Sequence, residues 1–335
     1  MMPPLSRRAF LEQSGLAMFA AGGLATLARP TQAAESPFKK AQIAITFDLE
    51  MSRMYPTREQ MEWDYQKGNL NEATKAYSLK TAQIASEMGG QVHYFLVGQV
   101  LEQENVDWLK EIHTLGHSIG NHTYDHVYLL AKNRDDIQFR FKRAPWLIEG
   151  MEVDEVIRKN IHQTTVAMKE RLGFGPDGFR TPGGFYTGLD GREDIQQMLL
   201  DEGFTWVSSK YPARGVYKPA ETPIKDIFDE LIATQAAAQP YVYPTGLIEI
   251  PMSPTGDVGA FRSGYWKLDS FLEYVELAVK WAIENKAMFD FLAHPSIMYV
   301  EDPEFQAVKL ICDLVNKSNG QAEIVSLSKI AEQVK

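Results

Sequence analysis

Residues 43–50 constrain the fold more than any other stretch. Ile43, Ile45, Phe47 and Leu49 are apolar, and the alternate positions run Ala44, Thr46, Asp48, Glu50. A period of two means a strand whose odd face packs on helices while its even face looks into a barrel or crevice. The pattern delivers two carboxylates, Asp48 and Glu50, side by side at the strand end. Such acids either run out into water or belong to a site.

The remainder of the chain repeats strand and helix. Residues 72–88 read as a helix ended by Gly89-Gly90, 92–97 as a strand, 105–115 as a helix with Gly116 at its C-terminal cap, and 153–172 as a helix closed by Gly173. Helix 195–202, strand 204–208 and a strand-like run through Leu247, Ile248, Glu249 and Ile250 continue the series. This alternation implies a mostly parallel α/β sheet or barrel. Long loops at about 51–71, 127–150 and 212–244 interrupt it, and loops of that length in compact domains are usually functional.

The first 35 residues stand apart. Ser6-Arg7-Arg8-Ala9-Phe10-Leu11 precedes a glycine-rich apolar stretch and then Thr31-Gln32-Ala33-Ala34, a small-residue cleavage site. This resembles a twin-arginine export signal, so the expectation is an exported, periplasmic product made of residues 36–335 as one catalytic domain. The apolar stretch is short for a membrane span, and no stable insertion is expected once it is removed. The formal charge of −10, with no basic stripe, argues against nucleic acid as partner. Cys312 is the only cysteine, which rules out an intrachain disulfide, and its helical apolar setting marks it as core filler.

Three further segments carry chemistry. His122 and His126 are four apart, which places both imidazoles on one face if the segment is helical, and two histidines with one carboxylate leave an open position on a bound metal. Arg180-Thr181-Pro182-Gly183-Gly184 is an arginine leaving a strand into a permissive turn, either a solvated turn or one that exposes N–H groups. The apolar run Phe289–Ala293 ends on His294, a packed residue or a catalytic one.

In their order, Thr46-Phe47-Asp48-Leu49-Glu50, His122-Thr123-Tyr124-Asp125-His126, Arg180-Thr181-Pro182-Gly183-Gly184 and Leu292-Ala293-His294 resemble the motifs of the polysaccharide deacetylases, carbohydrate esterase family 4 (the NodB-homology domain). The resemblance spans about residues 41–298. It implies a distorted (β/α) barrel of about seven parallel strands. It also implies that Asp48 is the general base, that Glu50, His122 and His126 bind one divalent metal ion, and that Arg180 orients Asp48. The Gly183 N–H would help bind the oxyanion, and His294 would be the general acid. Zinc suits this ligand set, and cobalt, nickel or iron fit the same donors.

Leu49 separates the two acids, which in most of the family are adjacent. Ser208 and Ser209 stand after Trp206 where the family usually supplies an aspartate to tune the histidine, leaving Asp290 and Glu249 as candidates. Tyr55, Trp63, Trp146, Trp206 and Leu292 are the candidate substrate contacts, with core or lid packing as the alternative for the aromatic ones. The substrate implied is an acetylated amino sugar in a polysaccharide or cell-wall glycan. The alternatives are an O-acetyl ester, a small non-peptide amide of the allantoinase kind, and an inactive carbohydrate-binding homologue.

Overall fold

A computed structural model describes residues 37–62, 65–212, 219 and 222–334. The export-signal segment, Trp63 and part of the 212–244 loop lie outside the described residues. Among the described residues the chain forms a curled sheet of nine strands: β1 (Ala41–Leu49), β2 (Val92–Leu96), β3 (Ser118–Asn121), β4 (Phe179–Phe185), β5 (Trp206–Lys210), β6 (Tyr241–Val242), β7 (Ile248–Glu249), β8 (Met288–Ala293) and β9 (Ala322–Ile324). Its order is β6-β7-β5-β4-β3-β2-β1-β8. Every pairing is parallel except β6 with β7. Seven parallel strands thus make a distorted (β/α) barrel. The short β9 adds a parallel pairing to the start of β1, before β2 begins.

Between the two ends of the curl, a side chain takes the place of a strand pairing. Gln239 donates its amide to the carbonyl of Met288 at 3.0 Å and accepts the Met288 N–H at 2.8 Å. This satisfies the first residue of β8 on its open edge.

The alternation of β1 sorts as its sequence requires. Ile43, Ile45, Phe47 and Leu49 pack into the main core, with Phe271, Val275, Ala278 and Val279 of helix Leu268–Asn285 among its members. Ala44 belongs instead to an inner cluster with Phe95, Trp206, Ile250, Met288, Leu327 and Ile330, the apolar floor of the barrel. Above that floor the inward positions become polar: Thr46, Asp48, Arg180, Ser208 and Asp290 are all buried. One strand therefore serves a helix-packed core on one face and an apolar floor topped by a polar layer on the other.

The helices form where the apolar spacing places them. Helix Glu72–Glu87 starts at Asn71, whose Oδ1 accepts the Thr74 N–H at 2.8 Å. Helix Val153–Leu172 begins with a reciprocal capping box between Glu152 and Glu155. The 127–150 insertion folds as short helical turns whose Val127, Leu129, Ile137, Phe141 and Ile148 share a second core with Phe179, Phe185 and Val207. Cys312 is fully buried in helix Gln306–Asn316, as its setting predicts. Among the described residues no helix is long and apolar enough to cross a membrane.

Trp206 belongs to the floor. A Cβ at Gly178 would sit 1.8 Å from its ring, and Gly178 itself has φ +82°, so the turn before β4 is shaped around the indole. The expected result for Trp206→Ala is a loss of about 3–5 kcal/mol of stability from cavity formation. Thermal denaturation would show the loss, whereas the Michaelis constant of the folded fraction stays unchanged. A raised Michaelis constant would return Trp206 to substrate binding.

Candidate active site

The carboxyl ends of the strands gather the polar residues, as expected of this barrel class. Arg180 on β4 organises them from below. It is fully buried, and its guanidinium lies 4.3 Å above the Phe95 ring. Its Nη1 donates to Asp48 Oδ1 at 3.1 Å and to Thr46 Oγ1 at 2.7 Å, Nη2 donates to Asp290 Oδ2 at 2.5 Å, and Nε donates to Ser208 Oγ at 3.2 Å. Thr46 Oγ1 in turn donates to Asp290 Oδ1 at 2.7 Å. Asp48 is thus fixed through Oδ1, and its Oδ2 faces His122 Nε2 at 3.7 Å and His294 Nε2 at 3.9 Å.

Glu50, His122 and His126 each bring one donor atom to within 4.8 Å of the other two. The segment between the histidines is not helical. Thr123 and His126 both have φ +58°, and this left-handed turn brings the second ring back toward the first. The turn is set locally: Asn121 Oδ1 accepts the Thr123 N–H at 2.8 Å, and Thr123 Oγ1 accepts the Val127 N–H at 2.9 Å. The His-x3-His spacing therefore converges through a side-chain-braced loop, a correction to the helical expectation.

The donor set fits a divalent cation. Glu50 Oε2 is buried without a well-formed hydrogen bond, and the Nε2 atoms of His126 and His122 lie 2.6 and 3.9 Å from it. His122 engages the Arg180 carbonyl through Nδ1 at 3.0 Å, which leaves the Nε2 lone pair toward the site. Burial pushes His122 down to about 4, so it is a neutral imidazole, the ligating form. Burial also works against the charge of Glu50, but His126 and Lys67 outweigh it and hold the carboxyl well below its usual range.

Two residues that sequence reasoning missed complete the centre. Lys67, from the long loop after β1, is buried and donates to Glu50 Oε1 at 2.8 Å, turning Oε2 toward the histidines. Only the length of its loop pointed there. Asp257 is the acid that tunes His294. Its Oδ1 lies 2.9 Å from His294 Nδ1, and its Oδ2 accepts the His294 backbone N–H at 2.5 Å. Burial alone would lower the His294 pKa, but Asp257, with Glu50 and Asp48, reverses this and raises it. Neither candidate from sequence does this: Asp290 is bound to Arg180, and Glu249 accepts from Ser209 and Tyr243 at 2.5 and 2.8 Å.

These groups line a cavity of about 240 Å³ that also includes Lys67, Gly183, Tyr211, Arg262 and Leu292. Gly183 has φ +73°, and Thr181 Oγ1 donates to its carbonyl at 2.7 Å, fixing the turn. Of the candidate substrate contacts among the described residues, Leu292 alone is on the wall. Tyr55 is buried beside the core with its hydroxyl on Glu301 at 2.6 Å, Trp206 is in the floor, and Trp146 is 68% exposed on the insertion. Trp63 lies outside the described residues.

His122→Ala is expected to abolish stoichiometric metal binding, read by elemental analysis of purified protein. Asp257→Asn removes the negative charge that raises His294, so the His294 titration should move to lower pH in the imidazole NMR spectrum. An unchanged titration would refute the pairing.

Residues 35–189 match the profile of the family described as Polysaccharide deacetylase. No curated protein matches the sequence. Among solved structures, a putative polysaccharide deacetylase from Mycobacterium smegmatis is similar with a TM-score of 0.58 at 17% identity, over 91% of this chain and 93% of that one. Puue allantoinase is similar with a TM-score of 0.58 at 16% identity, over 92% and 97%. A probable polysaccharide deacetylase from Pseudomonas aeruginosa PAO1 gives 0.56 at 13%, over 87% and 90%. The structural likeness speaks for the barrel, while the matched residues contain Asp48, Glu50, His122, His126 and Arg180. Over residues 35–189 the chain therefore carries the match to the polysaccharide deacetylases, a family of hydrolases.

Proposed function

We propose that this chain is an exported, metal-dependent hydrolase that removes N-acetyl groups from amino-sugar units of a glycan. The observation that carries this reading is the convergence of Asp48, the Glu50-His122-His126 donor set and the His294–Asp257 pair in one cavity. A divalent ion held by those three donors, zinc by preference for two imidazoles and a carboxylate, would polarise the acetyl carbonyl and acidify water. Asp48, braced by Arg180, takes the proton of the attacking water through Oδ2. The Gly183 N–H is the candidate donor to the developing oxyanion. His294, with Nδ1 engaged by Asp257, keeps its Nε2 proton for the departing amine. The Ser6-Arg7-Arg8 segment supports export through the twin-arginine route to the periplasm.

The size of the cavity favours a second reading beside the first. About 240 Å³, with none of the located candidate aromatics on its wall, suits one compact unit better than a run of sugars. A small non-peptide amide is the alternative substrate, on a scaffold that Puue allantoinase shares in outline.

Acetate release from N-acetylglucosamine and its oligomers by the metal-loaded protein tests the first reading. Asp48→Asn should keep the metal but lose on the order of 10²–10⁴-fold in turnover. Metal-loaded wild type that releases no acetate from any of these sugars would exclude the glycan reading and favour the small amide.

A further inference from the structure

We infer that Lys67 competes with the metal ion for Glu50: it occupies Oε1, leaves Oε2 as the donor atom, and so weakens the hold on the ion while keeping it open-sided and electron-poor. This rests on the reading of Glu50, His122 and His126 as a metal-binding set. The two oxygens of Glu50 are sorted by what faces them. Oε1 accepts from Lys67 Nζ at 2.8 Å and has His294 Nε2 at 3.6 Å, whereas Oε2 has the Nε2 atoms of His126 and His122 at 2.6 and 3.9 Å. Lys67 is buried and reaches the cavity wall. Its place is fixed by the backbone on either side. The Asn69 N–H donates to the Gln66 carbonyl at 3.0 Å, closing a turn around the lysine. A Cβ at Gly68 would meet Gln99 Cβ at 2.5 Å and the Val100 nitrogen at 2.8 Å, so glycine lets the loop press on the short helical turn Gly98–Glu102. That turn also holds the histidine segment, because the N–H groups of Gly98 and Gln99 donate to the carbonyls of Thr123 and Tyr124 at 2.9 and 3.0 Å. The lysine and the two histidines thus rest on one platform.

The sign of the charge behind Glu50 is what matters. A carbonyl or carboxylate behind a ligand raises its basicity, as the Arg180 carbonyl does for His122. An ammonium behind a carboxylate does the reverse, since it draws charge from the donor and neutralises the group that the ion would bind. A carboxylate can hold a cation through one oxygen or two, and the charge-assisted bond to Oε1 favours one. Fewer donor atoms leave more of the ion open to water and substrate, and less donated charge leaves it a stronger Lewis acid. Without the ammonium, Glu50 becomes a buried carboxylate short of positive charge, and a dication meets that need.

Two readings on purified, chelator-stripped protein test the inference without relying on turnover: Zn²⁺ affinity, by competition with a chromophoric chelator, and the visible absorption of the Co²⁺-loaded form. Lys67→Met should bind Zn²⁺ about tenfold more tightly or more, the usual size of effects from groups behind a metal ligand but with the opposite sign. Its Co²⁺ d–d bands should weaken, as they do when the coordination number rises. Lys67→Gln, which keeps a neutral donor, should fall between Lys67→Met and the wild type, and it decides by the same two readings if Lys67→Met does not fold. Zn²⁺ affinity that stays level or falls, or an unchanged Co²⁺ spectrum, overturns the inference, because losing a lysine that only anchors its loop would not tighten the site. Wild type that takes up neither ion sinks the metal-dependent reading and the inference together, whereas uptake indifferent to Lys67 sinks the inference alone.

Discussion

A guanidinium with no access to water sits at the centre of this barrel, and the site depends on how its charge is met. Arg180 can stay there only because two carboxylates and two hydroxyls surround it. The two acids do different work. Asp290, fully buried below, is pushed up to about 6 by burial, against the pull of Arg180 and Thr46. Asp48 lines the cavity and gives Arg180 only its Oδ1. Its other oxygen remains on the reactive side, aimed at His122 and His294. Losing either partner would strand a buried charge at a cost of about 3–5 kcal/mol.

The same network positions the metal donors. His122 is oriented by the Arg180 carbonyl, so one residue fixes Asp48 through its side chain and His122, a candidate metal donor, through its backbone. Glu50 is turned from the opposite direction by Lys67, which the loop after β1 folds back over the strand end. Met51 N–H donates to the Lys67 carbonyl at 2.8 Å, closing that loop at its base. The loop therefore belongs to the site through Lys67.

What could be read from the sequence was whatever short-range pattern encodes. The alternation in β1, the helix caps and the ordered motifs gave the barrel, and the structure brings Asp48, Glu50, His122, His126, Arg180 and His294 together as the motifs imply. The failures share a cause: they concern where loops return in space. Neither Lys67 nor Asp257 has a periodic neighbour to announce it, and Tyr55 and Trp206 carry aromatic rings that suit a sugar face and a core equally well. Burial decided between those uses, and burial of a single aromatic residue is a tertiary property. The His-x3-His spacing was informative for the wrong geometric reason, since a left-handed turn serves where a helix was expected.

The absence of an aspartate at the end of β5 follows from what that strand end is asked to do. Ser208 accepts from Arg180 Nε, and a third carboxylate there would crowd a guanidinium already matched by two. Ser209 and the Lys210 N–H instead satisfy Glu249, burying that acid in a network with Tyr243. With that position committed, the partner of His294 has to come from another strand end, and the segment after β7 provides it. Asp257 binds the histidine twice, through ring and backbone, which a side chain reaching across from β5 would have no backbone geometry to do. Moving the acid to this segment also makes the orientation of His294 depend on the turn Val258–Ser263 that follows Asp257, so the histidine and this part of the cavity wall are held by one piece of backbone.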